Sequence, residues 1–242
     1  MELNLLRFPQ AKTPAASYGT AIHATMERVY SNLRTQSTLP STKEVIEFFT
    51  LALKKERLGE KDYSENLERG TKSLTFFYES KKDTFKPEHK IEVNFKNQGV
   101  VIEGAHLAGK IDKIVDLGGG EIEVYDYKTG RPVRDWKGSA DYEKIKLHNY
   151  ARQLVFYKLL VEQSSDFADK YKVHHGTIEF VEPINNKELI DLPLSIDEEM
   201  AERTKKLIGI VYKKIVALDF PDITKYPPTM KGIVQFEDDL LA

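Results

Sequence analysis

The sequence predicts an α/β protein, with a central mixed β-sheet flanked by helices and a mainly helical N-terminal part. Three observations predict it. Up to about residue 85, apolar residues recur at helical spacing. Between residues 89 and 128 the pattern changes to strict alternation, the mark of half-buried strands. Beyond residue 140, helix-like and strand-like segments take turns, which suits helices crossing over a sheet.

The elements follow in order. The stretch SYGTAIHATMERVYSNL places Ile22, Met26, Val29, Tyr30 and Leu33 close to a 3.6-residue period and predicts a first helix. STKEVIEFFTLALKKE predicts a second, with Ser41 or Thr42 as its N-cap and acid in its first turn. YSENLERGTKSLTFFYESKK predicts a third, weakened at Gly70. HKIEVNFK alternates, with Ile91, Val93 and Phe95 on one side. GVVIEG, HLAGKIDKIVDL and EIEVYDYK continue the meander, and LGGGE between the last two reads as a hairpin turn. A long amphipathic helix is expected over about residues 142–162, strands at VHHGTIEFVEP and KELIDLPL, and a last long helix from a cap at Ser195 or Asp197. The tail from residue 219 is broken by prolines and ends acidic. No repeat or linker-like stretch divides residues 1–242, so one domain is expected, with residues 1–85 its helical part and 86–242 its α/β core.

Composition narrows the chemistry. Charged residues make up 31% of the chain and hydrophobic ones 40%, a globular balance. There is no cysteine, which excludes disulfides, thiolate zinc sites, cysteine nucleophiles and cysteine-held iron–sulfur clusters. No apolar run reaches membrane-spanning length, and the N-terminus lacks the form of a signal peptide, so a cytoplasmic protein without a membrane partner is expected. The net charge of −2 argues against a protein that coats nucleic acid nonspecifically. Residues 128–158 run against that average, with eight basic residues and three acidic ones; a solvated helix face accounts for this as readily as a binding surface does.

The segment GKIDKIVDLGGGEIEVYDYKTG (residues 109–130) carries the chemistry. Alternation along EIEVYDYK sends Ile122, Val124, Asp126 and Lys128 to one side, so an apolar face ends in an acid and a base. In the preceding strand Lys110, Asp112 and Ile114 share a face, and an antiparallel hairpin can bring Asp112 near Asp126. Two carboxylates at the edge of a core repel one another and lose hydration. A hard divalent cation resolves that conflict, because carboxylate oxygens are its preferred ligands. Taken singly, the same residues also suit a solvent-facing strand acid and a surface ion pair. Glu92 on the first strand could approach a metal at the same edge, and Glu27, one turn after His23, could support it, an exposed ion pair with Arg28 being the other reading. Trp136 is read as a loop anchor, with base stacking as the other possibility, and His148 has no partner pattern.

GKID (109–112), DYKTG (126–130) and QLVFY (153–157), together with Gly19 and His23 in YGTAIHATME, resemble the PD-(D/E)xK nuclease superfamily. The resemblance is to its RecB-like branch, the C-terminal nuclease domain of bacterial helicase–nucleases (the RecB, AddA, AddB and UvrD-related chains). It spans residues 23–157, and the four motifs come in the family's order. It implies a restriction-endonuclease-like core and a Mg²⁺- or Mn²⁺-dependent deoxyribonuclease, exo- or endonucleolytic, hydrolysing phosphodiester bonds without a covalent enzyme intermediate. Asp112 and Asp126 would ligate the metal, with His23 and the Tyr127 backbone carbonyl as further ligands. Lys128 would be the catalytic lysine. Gln153 and Tyr157, four residues apart on one helix face, would support the site and contact DNA, with Arg152 as a phosphate contact. Single-stranded DNA, a helicase in the same chain or complex, recombination and repair, and a bacterial cytoplasm are implied in the same way. Some relatives hold an iron–sulfur cluster that this chain cannot. The chain is expected to be a nuclease domain cut from a longer helicase–nuclease, with Met1 introduced. Two rival readings are a non-catalytic module of the same fold that guides DNA or braces a helicase, and a plain α/β interaction domain.

Overall fold

A computed structural model describes residues 12–185 and 187–242. The reading of the extreme N-terminus lies outside the described residues. The chain forms two compact units, one of residues 1–87, 128–131 and 180–189, the other of residues 88–127, 132–179 and 190–242.

The first unit is built on three helices, α1 (Pro14–Gln36), α2 (Thr42–Lys55) and α3 (Glu60–Lys81). Thr13 caps α1 by accepting from the Ala16 N–H, and Pro14 fills the first helical position, where its missing N–H is not needed. Ser41 and Glu44 form a reciprocal capping box that starts α2. Val45, Phe49 and Leu53 recur every four residues along α2 and are fully buried; each contributes about 1.5–3 kcal/mol. Gly70 does not weaken α3 at random. A Cβ there would sit 2.1 Å from the Phe49 ring, so glycine permits the close approach of α2 and α3. Phe85, just past a 3-10 turn (Lys82–Thr84), packs against Tyr30 and Tyr78. Glu182 accepts from the Gly130 backbone N–H at 3.0 Å and pairs with Arg69, tying residues 128–131 to the 180–189 segment.

The second unit holds a mixed five-stranded sheet in the order β1 (Lys90–Asn94), β4 (Lys110–Gly118), β5 (Glu121–Lys128), β6 (Lys172–Phe180) and β7 (Asp191–Ser195). The expected strands at residues 99–117 divide differently from the expectation. Val101–Ile102 (β2) and Ala105–His106 (β3) pair only with each other, and β4 begins at Lys110. The LGGGE stretch is the β4–β5 turn, with Gly118, Gly119 and Gly120 all at positive φ, where a side chain is strained. Pro193 lies on β7, an edge strand, where its missing N–H breaks no inner ladder.

Helix α4 (Asp141–Glu162) packs on the sheet. Two glycines permit it: a Cβ on Gly176 would crowd Leu154 and Val124, and one on Gly109 would lie 2.6 Å from Leu160. Helix α5 (Glu198–Ala217) is capped by Asp197 rather than Ser195, accepting from the Met200 N–H. The Pro-broken tail carries a helix that the sequence reading did not single out. Residues Met230–Leu241 form a sixth helix, α6, capped by Thr229 and directed by Ile233, Phe236 and Leu240 at helical spacing. No helix among the described residues is long and apolar enough to cross a membrane.

Helix α6 is clamped by Glu237, whose carboxylate is 6% exposed. It meets His148 at 2.8 Å, Arg152 at 3.1 Å and Arg203 at 3.6 Å, so His148 does have a partner. Burial alone would raise the Glu237 pKa; the hydrogen bond and charge of His148, with Arg152 and Arg203, outweigh burial and hold it below the ordinary range. A carboxyl depressed in the folded state stabilises the fold above its unfolded value of about 4.3, and that contribution is lost as pH falls through the lower folded value. Glu237→Gln should therefore lower stability by about 2 kcal/mol at pH 7, with the difference from wild type closing as the pH approaches 3. Thermal melts of both proteins across that range check this.

Candidate active site

Strand register assembles three carboxylates in the second unit. In the β4–β5 ladder Lys113 faces Tyr125 and Ile114 faces Val124; continued by one residue, that register sets Asp112 across from Asp126. In the β1–β4 ladder Ile91 faces Lys113 and Val93 faces Ile111, which sets Glu92 across from Asp112. Glu92, Asp112 and Asp126 thus form a row over three adjacent strands. Glu92 and Asp112 offer oxygens within 4.8 Å of one another. Asp112 is 5% exposed and Asp126 2%.

Each carboxylate is held. The Tyr127 backbone N–H donates to Asp112 Oδ2 at 2.9 Å. Gln153 Nε2 and the Tyr157 hydroxyl donate to Asp126 Oδ1 at 2.6 and 2.9 Å, and Gln153 also donates to the Tyr157 oxygen at 2.9 Å. Burial first, then the charges of Asp126 and Asp112, raise the Tyr157 pKa, which keeps its hydroxyl protonated and donating. Burial and then Asp126 push Tyr150 up to about 12. Tyr150, Gln153 and Tyr157 share one face of α4 at spacings of three and four, and Gln153 and Tyr157 reach Asp126.

Glu92 is the acid that the sequence reading placed within approach of the metal without making it a ligand. It ion-pairs with Lys110 and has φ of 54°, the left-handed region that a glutamate adopts at a cost of about 1–3 kcal/mol. The alternation of HKIEVNFK showed that Glu92 points away from Ile91 and Val93; the register that brings it to Asp112 is a property of the assembled sheet.

The remaining candidates are placed as follows. Lys128 ends β5, two residues past Asp126 and on the same side of that strand, with its backbone carbonyl accepting from the Val181 N–H at 3.0 Å. His23 is half-buried on α1 in the first unit. Gly19, paired with it in the motif, meets no steric demand, since a Cβ there would be 3.5 Å from Thr129 Oγ1. Tyr127 is buried, and its N–H serves Asp112. Arg152 bonds Glu237 and Asn149. Lys158 drops out of the basic segment as a surface charge, because it is buried and bonded to Glu162 and the Val173 carbonyl. Trp136 anchors its loop through a 2.6 Å bond from Nε1 to the Pro193 carbonyl.

The donor set fits a hard divalent cation. Three carboxylates in a row, two of them nearly inaccessible to water, carry mutual repulsion that such an ion removes. Asp112 and Asp126, with Glu92 beside them, would hold such an ion, which would supply Lewis acidity toward a phosphoryl oxygen and a water of lowered pKa. With no cysteine in the chain, a cysteine-ligated iron–sulfur cluster has no ligands.

Comparison with known proteins assigns the class. The family model of the PD-(D/E)XK nuclease superfamily matches residues 2–221. The chain belongs to that superfamily. Among solved structures it is similar to one titled "Putative exonuclease" from Eubacterium rectale, with a TM-score of 0.51 and 13% identity, over 90% of this chain and 72% of that one. At that identity the likeness is one of fold. No curated protein sequence matches the chain.

Proposed function

We propose that this protein is a Mg²⁺- or Mn²⁺-dependent deoxyribonuclease that hydrolyses phosphodiester bonds, with single-stranded DNA as its preferred substrate. The observation that carries this reading is the row of Glu92, Asp112 and Asp126 across β1, β4 and β5. Asp112 and Asp126 would hold the cation, oriented by the Tyr127 N–H and by Gln153 and Tyr157. His23 and the Tyr127 carbonyl are proposed as further ligands on the strength of the family motifs. Lys128 would orient the attacking water and stabilise negative charge on the phosphoryl oxygens. Arg152 and the lysines at the start of α4 would contact phosphates. The RecB-like placement rests on the GKID, DYKTG and QLVFY motifs. So do association with a helicase in recombination or repair and a bacterial cytoplasmic setting.

The test is cleavage of end-labelled single- and double-stranded DNA with Mg²⁺, Mn²⁺ or EDTA. Metal-dependent products from the wild type, absent from Lys128→Ala, are expected. Folded wild-type protein that cuts neither substrate with either metal, and binds neither metal by calorimetry, would overturn the reading.

A further inference from the structure

Gln153, whose amide reaches Asp126, also lines a groove of about 450 Å³ between α4, α5 and α6. Its walls are apolar and include Phe156, Leu207, Ile208 and Phe236. Its α4 end is polar, formed by Asn149, Arg152 and Gln153. The Arg152 side chain is 49% exposed, while Glu237, which it shares with His148 and Arg203, also lines the groove and is buried. Arg203 pairs more closely with the exposed Asp238, at 2.7 Å, so Arg152 is the cation that lines the groove.

Size, charge and continuity select the occupant. A volume of this order is that of a small-molecule site and suits a single nucleotide. Phenyl rings and aliphatic walls accept the face of a base without demanding a sequence. Arg152 at the α4 end suits an adjoining phosphate. The shared Gln153 joins the groove to the carboxylate row.

We propose that the groove is a nucleobase subsite, taking one unstacked base of a single strand whose backbone crosses the carboxylates, with Arg152 against the adjoining phosphate. The proposal rests on the nuclease reading above and adds a position at which the enzyme grips its substrate by a base as well as by its backbone. A paired base is stacked in its duplex and cannot enter, so the subsite would also give a physical basis for preferring single strands.

The test is fluorescence anisotropy of the full chain with fluorescein-labelled twelve-residue oligothymidylate in Ca²⁺. A single abasic residue is walked along the oligonucleotide. The wild type should show one position at which the abasic residue weakens binding about tenfold. Phe236→Ala, which removes a wall, and Thr204→Trp, which fills the groove without emptying a core, should both abolish that penalty while circular dichroism stays unchanged. A flat profile in a wild type that still cleaves DNA would overturn the subsite and leave the nuclease reading standing. So would a penalty untouched by either variant. Folded wild type that neither binds nor cleaves would remove both. If light scattering shows a dimer that Thr204→Trp disperses, the groove is a contact between copies and the proposal falls.

Discussion

Asp126→Asn should remove metal-dependent DNA cleavage by about 10³-fold or more, a loss of ~4 kcal/mol of transition-state stabilisation, while making the metal-free protein more stable. The two effects share one cause. Asp126 lies across from Asp112, with Glu92 beyond it, and neither Asp112 nor Asp126 has appreciable contact with water. Like charges about 5 Å apart interact by roughly 3 kcal/mol at the effective dielectric of a protein. Asparagine keeps the oxygen that accepts from Gln153 and Tyr157 and removes the charge. A gain of about 1–2 kcal/mol without metal is expected, or some 2–8 °C in Tm for a chain of this size. Added Mg²⁺ should raise the wild-type Tm and leave the variant's unmoved, because binding to the native state alone stabilises it. Melting curves with EDTA and with Mg²⁺ test both signs. A variant less stable than wild type in EDTA would mean that the carboxylate is structural and the row is not strained.

Lys113→Met should be among the most destabilising single changes, at about 3–5 kcal/mol. Lys113 lies on the opposite side of β4 from Asp112 and is buried. It ion-pairs with Glu179 on β6 and lies 3.9 Å from the centre of the Tyr125 ring, so one side chain links three strands. Methionine preserves the volume and removes the cation from beside an almost fully buried Glu179. The double variant Lys113→Met with Glu179→Met should recover most of the loss, since an apolar pair of similar size replaces a buried ion pair at little net cost. Urea denaturation of the two single variants and the double variant measures the coupling. Additive losses would show that the pair is not the source of the effect.

The placement of Asp112 and Asp126 was legible because strand alternation is local. It states which side a residue faces before any partner is known, and a glycine turn restricts which residues can meet. The Tyr157 and Gln153 pair was legible for the same reason on a helix. Other features were not. The prolines of the tail are local signals and show in the sequence, whereas α6 is stabilised by Glu237 against residues some 35 to 90 positions away and does not. Gly70, Gly109 and Gly176 look like weak points in sequence and prove to be contact points, because what each would strike belongs to another element. Lys158 counts as one more surface charge in a tally of residues 128–158, yet it is buried against Glu162 and Val173.

By itself, then, the sequence determined the alternation of helices and strands, the absence of thiol chemistry, and a pair of acids and a lysine on one side of a hairpin. Each of these depends on neighbours within a few residues. Tertiary structure alone decided that Glu92 joins the row, that Tyr150 stands with Gln153 and Tyr157, that Lys113 is buried behind it, and that a groove opens beside Gln153. Each of those depends on register between strands or on packing between helices. The free energy of such contacts comes from surfaces that meet only once the chain has folded.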